Sequence, residues 1–533
     1  RILSRAPVPG TPATILKTTT PAPSRRLDKP LFEAGQQCLK RLFLDFREPV
    51  AEAASEQRRA LSAAGQQLLA LARKAFPRGA EVTASSIADA ATQTRELLAA
   101  ANASVVFGAA FQSADLEVRT DIVLRQKDGQ LDLFEVKSGT KVNPRYLADI
   151  AMQVLAIEGA GFQVRAVHVL HVNHRYAHKE GEDYPPQQLF KNADVTERVR
   201  RVMPRIADQV RAFRQQVRDD SALGLPTGSF CTSPFPCPHL AECSRSEKDF
   251  PLRKLPELTQ ALEAKLHMEG IDNLADIQID RPGLTFRQRQ SLRCLHENQL
   301  VIEPFVREEL RNVDYPLHYL AISGITEALP RFSGQRPWRL LPYAWAVETL
   351  HENGRVEHSS FAFADKTDPR GEFVATLHKQ LGDRGTLLCW STDALESLRS
   401  LLEDWPAEKP AVRALLGMPR LDAMRLFESG IFHPAILGDT SLLAHAQALA
   451  NLEPPADLSI RSEDAVFAAL QKAWTPRIRA ATKEKIAAEL KTWVEWQAAA
   501  VAQLHRRFAE LTPKQPEAPA AKPSKPRKQL PPG

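Results

Sequence analysis

The 533-residue sequence has no uninterrupted apolar run of the roughly 18 residues that a transmembrane helix requires. Its first stretch, RILSRAPVPGTPATILKTTTPAPSRR, has no apolar core followed by a cleavage site of the secretory kind. Cysteine is scarce, with six residues in the whole chain. These absences argue against a membrane protein and against a secreted protein stabilised by disulfides. We therefore predict a cytoplasmic protein with no membrane partner.

The composition is ordinary for a globular protein, with 43% hydrophobic and 25% charged residues, and the length suggests about three domains. A formal net charge of +6 permits nucleic-acid binding without requiring it. Residues 1–28, rich in Pro, Thr and Arg, and residues 511–533, rich in Pro and Lys, cannot build a core. We predict a disordered leader and a disordered tail, and a transit peptide is the alternative for the basic leader.

The most informative stretch covers residues 105–138. Two short apolar runs, VRTDIVL and LDLFEVK, flank an Asp-Gly pair at 128–129 and predict a β-hairpin. Asp121 lies on the first strand and Glu135 on the second. Strand pairing would bring these two acids together although they are 14 residues apart, with Lys137 two positions further on the same face.

Two neighbouring carboxylates repel each other unless a divalent cation neutralises them, and Mg²⁺ accepts a few carboxylates together with water and phosphate oxygens. Such a metal lowers the pKa of a bound water, and a nearby ammonium group can orient the nucleophile or stabilise developing charge. These are the parts that phosphodiester hydrolysis needs. The alternative is an ordinary hairpin whose acids face water.

The sequence around the hairpin predicts an α/β core. Ala-rich amphipathic segments precede it and read as helices. After it, NPRYLADIAMQVLAIEGAG predicts a helix closed by Gly159, and VRAVHVLHVN predicts a further strand. The order strand, strand, strand, helix, strand is typical of an α/β domain.

Three cysteines, Cys231, Cys237 and Cys243, lie within 13 residues of a Pro-rich loop, with the spacing C-x5-C-x5-C. With Cys38 they would make four thiolates, a set suited to a [4Fe-4S] cluster or to tetrahedral zinc. Disulfides are the alternative, which the missing secretory signal disfavours. The other two cysteines are predicted to be plain buried thiols: Cys294 and Cys389.

The phrase RTDIVL…LFEVKSGT resembles the RecB-like branch of the PD-(D/E)XK nucleases. FEAGQQCLKRLFLDF and FCTSPFPCPHLAEC are similar to the cysteine segments that bracket and clamp that core in helicase-nucleases and CRISPR-associated exonucleases. The resemblance implies a restriction-endonuclease-like fold for residues 29–250. It implies that Asp121 and Glu135 ligate Mg²⁺ or Mn²⁺, that Lys137 positions the attacking water and that Gln153 supports the site. It also favours a [4Fe-4S] cluster over Zn²⁺ on the four cysteines.

The sequence departs from that family at two positions. The acid that the family places before the first strand Asp would align with Gly108, and the Tyr that often follows the Gln by four residues is Ile157. Gln112 or Glu117 would be the substitutes for the missing ligand, acting through water. A magnesium site with two carboxylates still works because Mg²⁺ keeps several waters.

Residues 251–312 predict a helical linker, in which LEAKLHMEGIDNLADIQI resembles a helix-hairpin-helix unit. Residues 313–510 alternate strands and helices as a ribonuclease-H-like fold would. PRFSGQRPWRLLPYAW and GTLLCWSTDALESLRSL resemble a bacterial family that joins a RecB-like nuclease to a DnaQ-like 3′–5′ exonuclease domain. The resemblance covers most of residues 30–505.

An active exonuclease of that type needs several acids to clamp two metal ions, starting with Asp-x-Glu on the first strand. Ala321 and Ser323 occupy those positions here, and Gln497 stands where a later helix would supply an Asp. Asp393 and Asp422 would be the surviving acids, too few to hold two cations. We therefore predict an inactive exonuclease fold that is kept for binding or assembly.

Three aromatic residues of this region, Trp338, Tyr343 and Trp390, are candidates for stacking on nucleic acid. Burial in a core is the alternative for each of them. The sequence as a whole predicts a metal-dependent DNA nuclease whose partners are DNA and other protein subunits of a processing or defence complex. A scaffold or nucleic-acid-binding subunit in which both nuclease folds have decayed is the alternative.

Overall fold

The computed structural model describes residues 25–48, 56–100, 104–179, 181–247 and 249–511, except the side chains of 56–61, 246 and 509–511. Helices and strands alternate along the chain, which confirms the mixed α/β class. The described residues form two compact units. The first contains residues up to Pro251 with Thr259–Glu263 and Ala328–Trp338, and the second contains Leu252–Leu258, Ala264–Glu327 and the residues from Arg339 onward.

The first unit contains a mixed six-stranded sheet in the order β1-β2-β5-β6-β7-β8 and a separate ribbon of β3 and β4. The strands are β1 Ala80–Glu81, β2 Val105–Phe107, β3 Ala110–Gln112, β4 Glu117–Arg119, β5 Ile122–Arg125, β6 Leu131–Lys137, β7 Val164–Val172 and β8 Phe190–Asp194.

Eight helices complete the described part of this unit. They are α1 Lys29–Gln37, α2 Leu39–Arg47, α3 Glu56–Arg73, α4 Ile87–Ala99, α5 Pro144–Gly159, α6 Pro186–Leu189, α7 Thr196–Gln216 and α8 Leu240–Cys243.

The predicted hairpin is confirmed. β5 and β6 are antiparallel, with Ile122 opposite Phe134 and Arg125 opposite Leu131. Gly129 in the turn has φ +85°, a left-handed conformation that glycine adopts without the steric cost of a Cβ. Because the side chains of a strand alternate between faces, this register fixes which hairpin residues reach the site.

Helices cover both faces of the sheet. On one face α5, with ten buried residues, packs with α4 and α7 against apolar side chains of β5, β6 and β7. On the other face, Leu68, Leu71 and Ala72 of α3 pack against Ile122 and Phe134. β6 is therefore covered on both faces, and its first five residues are buried, including the charged residues Asp132 and Glu135.

The end of the predicted disordered leader is ordered. Leu27 is fully buried and forms a bridge with Leu116, and the Arg26 Nε–H donates to the carbonyl of Ser113 at 2.7 Å. The predicted boundary of the leader at residue 28 was therefore wrong by at least Arg26 and Leu27. The apolar side chain of Leu27 lies next to the basic run and completes the core. Residues 1–24 of the leader lie outside the described residues, as does the tail from 512.

The second unit contains a five-stranded sheet in the order β12-β11-β10-β13-β14, and β9 pairs with β15. The strands are β9 Val301–Ile302, β10 Leu317–Ile325, β11 Leu341–Leu350, β12 Val356–Ala362, β13 Thr386–Cys389, β14 Arg420–Asp422 and β15 Ile431–Phe432. β10, β11 and β12 are antiparallel, whereas β13 and β14 run parallel to β10.

The remaining helices of the described chain are α9 Gln260–Met268, α10 Phe286–Glu297, α11 Pro304–Arg311, α12 Arg370–Leu381, α13 Asp393–Ser397, α14 Leu401–Asp404, α15 Lys409–Gly417, α16 Ala423–Gly430, α17 Leu442–Ala450, α18 Glu463–Ala473 and α19 Ala480–Leu511. α12 and α15 pack on one side of the sheet through a core that includes Leu320 and Trp345. α19 packs along β10, β11 and β12.

The predicted linker is not a separate body, because nearly all of residues 252–312 belong to the second unit. None of the helices in the described ranges is both long and apolar enough to cross a bilayer.

Candidate active site

The predicted pair of acids meets at the end of the hairpin. Asp121 precedes β5 and faces Glu135 of β6. The backbone N–H of Asp121 donates to Glu135 Oε1 at 3.4 Å, and the N–H of Val136 donates to Asp121 Oδ2 at 2.8 Å. Glu135 is buried, with 3% of its surface exposed. The antiparallel register therefore holds the two carboxyl groups against each other.

Lys137 lies two residues beyond Glu135 on the same strand. Its Nζ is 3.1 Å from Glu135 Oε2 and 2.8 Å from Asp149 Oδ2. Burial opposes its charge, but the carboxylates of Glu135 and Asp149 outweigh that cost and raise the pKa of Lys137 well above its usual value. The lysine is thus a fixed cation and not a base at neutral pH.

Asp149 was missed by sequence reasoning. It lies on α5, four residues before Gln153, so the two side chains share a helix face, and Gln153 Nε2 donates to Asp149 Oδ1 at 3.4 Å. Asp149 Oδ2 also accepts from Lys29 Nζ at 2.8 Å. Burial alone would raise the pKa of Asp149, but the charges of Lys137 and Lys29 lower it. The signal in the sequence was an acid one turn before the predicted Gln.

Gln153 reaches the same cluster, so the structure brings all four predicted site residues together. Its side chain is 2% exposed, and its Oε1 has no hydrogen-bond partner among the described residues. A buried amide oxygen without a partner is costly, and such atoms are usually satisfied by water or a ligand. This oxygen is therefore a candidate acceptor for a hydrogen bond from a bound water or ligand.

Local sequence explains why α5 presents these side chains. Asn143 caps the helix by accepting from the N–H of Tyr146 at 3.1 Å, and Pro144 occupies the first turn, where its missing N–H costs nothing. The helix crosses from β6 to the parallel strand β7. Two polar residues on an otherwise apolar buried helix therefore face the strand that carries Glu135 and Lys137.

The charges of the site do not balance. Asp121, Glu135 and Asp149 are carboxylates, whereas Lys137 and Lys29 are the ammonium groups beside them. Burial, together with the negative charge of Glu135, raises the pKa of Asp121 to about 7. A divalent cation would offset the surplus negative charge, and carboxylate oxygens are ligands that Mg²⁺ accepts. Within the described ranges, no three His, Cys, Asp or Glu side chains are grouped closely enough to hold a metal ion on their own.

Replacing Asp121 by asparagine should stabilise the metal-free protein at pH 8. The raised pKa favours folding below about pH 4, and this contribution is lost as the pH rises through 7, where the folded protein must ionise the acid. Asparagine can keep the bond from Val136 and carries no charge. We expect a gain on the order of 2 kcal/mol at pH 8, shrinking toward zero at pH 4, in urea unfolding with EDTA.

Glu96→Gln is the matched control, because Glu96 is exposed on α4 of the same unit. It should change the free energy of unfolding by less than about 0.5 kcal/mol at either pH. An Asp121→Asn protein that is equally or less stable than wild type at pH 8 would contradict the charge imbalance.

The departures from the family are visible in the structure. Gly108 has φ +64°, and its N–H donates to the carbonyl of Asp121 at 3.2 Å, so the position of the missing acid adjoins the site. Ile157 is fully buried in the core. Gln112 Nε2 donates to Glu117 Oε2 at 3.2 Å across the β3–β4 ribbon. These two proposed substitutes thus bind each other.

The four predicted cysteine ligands are free thiols in one part of the first unit. Cys38 is the extended residue between α1 and α2, and it acts electrostatically on Cys231, Cys237 and Cys243. Burial raises the pKa of Cys231 to about 11, and it raises the pKa values of Cys237 and Cys243 as well. Within the described residues, no three His, Cys, Asp or Glu side chains are grouped closely enough to hold a metal ion, and these four cysteines are included in that finding.

Polar contacts join the two cysteine segments. Gln37 Nε2 donates to the carbonyls of Phe230 and Phe235 at 2.8 Å each, and His239 Nε2 lies 2.7 Å from Asp45 Oδ1. These bonds connect the N-terminal helices with the loop that follows α7. Cys294 and Cys389, predicted as plain thiols, are buried in the second unit.

The second unit holds the residues predicted to replace exonuclease acids. Ala321 is buried, and Ser323 Oγ donates to Glu463 Oε2 at 3.2 Å. Burial raises the pKa of Glu463 to about 7. Asp422 caps α16 and accepts from the N–H and the hydroxyl of Thr392 at 2.9 Å. Of the two surviving acids, Asp393 and Asp422, the second therefore already has a structural role.

The candidate stacking residues differ in exposure. Tyr343 is fully buried, so its proposed stacking role was wrong: nine consecutive residues of β11, on both faces of the strand, are buried. Trp390 is half-buried against Phe427 and His445. Trp338 is 42% exposed. It lies in the first unit with the acids and lysine described above.

Comparison with known proteins gives one family. The family model of a domain of unknown function, DUF2779, matches residues 318–441. No curated protein matches the chain. The matched region begins in β10 and ends just before α17, so it covers the strands of the five-stranded sheet and the segment that carries Trp338.

Proposed function

We propose that the protein is a metal-dependent DNA nuclease of the RecB-like type, which hydrolyses phosphodiester bonds at the site around Asp121, Glu135 and Lys137. One observation carries the proposal. Two facing carboxylates and a lysine fixed between Glu135 and Asp149 occupy one end of a buried sheet, with a surplus of negative charge. An ordinary hairpin whose acids face water would leave these side chains exposed and apart.

Asp121 and Glu135 would hold Mg²⁺ or Mn²⁺. The bound metal would supply a water of lowered pKa and a positive charge beside the phosphate. Lys137 keeps its proton and presents N–H donors to the attacking water or to the charge that develops on the phosphate. Asp149 orients that ammonium, and the free Oε1 of Gln153 can accept a hydrogen bond from water.

The sheets of both units support the finer assignment of fold. A hairpin followed by a helix and a parallel strand, β5-β6-α5-β7, is the order expected of a restriction-endonuclease-like core. Three antiparallel strands extended by two parallel ones, in the order β12-β11-β10-β13-β14, are expected of a ribonuclease-H-like domain. With Ala321 and Ser323 in place of acids, that second domain would serve binding or assembly and would not cleave DNA.

A metal centre on Cys38, Cys231, Cys237 and Cys243, with a [4Fe-4S] cluster favoured over zinc, depends on the family resemblance, because the structure does not group these thiols closely enough to hold a metal ion. The preference for DNA, for a cytoplasmic location and for further protein subunits depends on the family resemblance. A second candidate is a non-catalytic nucleic-acid-binding scaffold, which the missing acid at Gly108 favours.

The decisive test is cleavage of labelled single- and double-stranded DNA by the anaerobically purified full chain with Mn²⁺. We expect cutting that EDTA stops and that Asp121→Asn abolishes while the protein remains folded. Equal cutting by wild type and Asp121→Asn would indicate a contaminant and count against the proposal. Binding of DNA without metal-dependent cutting would favour the scaffold.

A further inference from the structure

An exposed tryptophan lies next to the candidate active site. The indole N–H of Trp338 donates to the carbonyl of Ser138, the residue that follows Lys137, at 2.7 Å. Its one polar group is therefore satisfied while 42% of the residue remains exposed. The ring therefore offers apolar aromatic surface beside the site that a stacked partner could cover.

The backbone at Trp338 is strained. Its φ is +61°, a left-handed conformation that is rare for a bulky residue. The surrounding segment is held firmly: Tyr184 donates to the carbonyl of Pro330 at 2.7 Å, and the N–H of His178 donates to the carbonyl of Gln335 at 3.0 Å. Backbone strain of this kind persists where the surrounding structure holds the residue in place, and it is concentrated at active sites and ligand-binding sites.

A second exposed ring lies on the cysteine loop. Phe235 is 64% exposed, and its carbonyl accepts from Gln37 Nε2 at 2.8 Å, so its backbone is tied to α1. The guanidinium carbon of Arg145 lies 5.6 Å from the centre of the Phe235 ring. Arg145 is exposed in the first turn of α5, the helix that carries Asp149 and Gln153.

Contacts connect the two rings through the site. Tyr146, next to Arg145, has its ring centre 5.6 Å from Lys137 Nζ. Gly139 lies so close to Tyr146 that an added Cβ would be 2.6 Å from the tyrosine hydroxyl. Gly139 follows Ser138, which binds Trp338. The contacts thus run from Trp338 along the strand end that carries Lys137 to Arg145 and Phe235.

We infer that Trp338 and Phe235 are base-stacking residues on the rim of the nuclease site, and that the site takes a strand whose bases are unpaired there. The inference rests on the proposed function and names its substrate contact. Aromatic rings stack on bases of any sequence, because every base has a π-face. Arg145, exposed beside Phe235, supplies a positive charge that suits a phosphate backbone. Paired bases in a duplex would not reach these rings.

The test measures binding without cleavage. Fluorescence anisotropy with a labelled dT20 strand, with Ca²⁺ in place of Mn²⁺, should show affinity about tenfold weaker for Trp338→Ala and for Phe235→Ala. Phe286→Ala, at a 47% exposed phenylalanine on α10 of the second unit, is the matched control and should bind like wild type. An abasic strand of the same length should bind wild type weakly and should not respond to the substitutions.

A comparison of Trp338→Ala with Trp338→Gly separates the ring from the backbone. Both variants lack the indole, but only glycine relieves the left-handed strain. Equal losses of dT20 affinity support stacking. Recovery of wild-type affinity by the glycine variant would overturn it, as would variants within twofold of wild type or tight binding of the abasic strand.

The outcome also separates this inference from the nuclease proposal. Ring-dependent binding of dT20 by a protein that never cuts DNA would sustain the stacking residues and refute the nuclease. Metal-dependent DNA cleavage by a protein whose affinity for dT20 changes in neither Trp338→Ala nor Phe235→Ala would support the nuclease and refute the stacking residues.

Discussion

Replacing Lys137 by methionine is expected to lower the rate of Mn²⁺-dependent DNA cleavage on the order of 10³-fold and to leave Mn²⁺ binding intact or tighter. A fixed charged donor at a reacting phosphate is worth about two to three orders of magnitude in rate. The ammonium group lies 3.1 Å from Glu135 and 2.8 Å from Asp149, so its position depends on contacts made before substrate arrives. Single-turnover cleavage and calorimetric Mn²⁺ titration measure the two effects.

The expected split between rate and metal affinity follows from charge. Methionine resembles the aliphatic stem of lysine but carries no charge, so the surplus negative charge around Asp121 and Glu135 grows and favours a cation. Asp149 keeps Lys29 at 2.8 Å, which limits the damage to folding. A lysine that served structure alone would, on removal, weaken metal binding and cleavage together and lower the midpoint of thermal unfolding.

Lys127→Met is the matched control, because Lys127 is exposed near the hairpin turn. It should cleave within about twofold of wild type. An equal fall in cleavage by both variants would show that the effect of Lys137 is a general loss of positive charge and not a placed donor. Unchanged cleavage by Lys137→Met would contradict the assigned role.

The hairpin and its three functional residues were predictable because the information is local. An Asp-Gly turn between two apolar runs fixes the register, and the register fixes that Asp121 faces Glu135. Gln153 followed from the resemblance. Asp149 and Lys29 were not found, since an acid on a buried helix and a lysine about 120 residues earlier have no common pattern in sequence.

Long-range packing also explains the other differences between the predicted and the observed structure. Residues 328–338 follow β10 directly in sequence, yet they belong to the first unit, where Trp338 reaches Ser138 some 200 residues away. Leu27 was assigned to the leader because the basic run beside it dominates the local composition. Composition and periodicity describe a segment by its neighbours in sequence, whereas burial depends on partners far along the chain.

Changing Cys38 to alanine is expected to remove most of the bound metal and to lower the midpoint of thermal unfolding by roughly 10 °C. Cys38 is the one proposed ligand from the N-terminal helices, and a centre that joins it to Cys231 closes a loop of about 190 residues. By the chain-entropy argument used for cross-links, closing a loop of that size stabilises the folded state by about 5 kcal/mol. Iron, sulfide and zinc assays on anaerobically purified protein, with calorimetry, measure both effects.

Cys294→Ala is the matched control, because Cys294 is a buried thiol of the second unit outside the set. Filling its place with a smaller side chain should cost stability but leave the metal content unchanged. A brown wild-type protein with iron and sulfide, and a colourless Cys38→Ala protein, would support the cluster over zinc. If wild type holds no metal, or if Cys38→Ala keeps its full complement, then no metal on Cys38 joins the cysteine loop to the N-terminal helices, and contacts that need no metal, such as those of Gln37, Asp45 and His239, connect them instead.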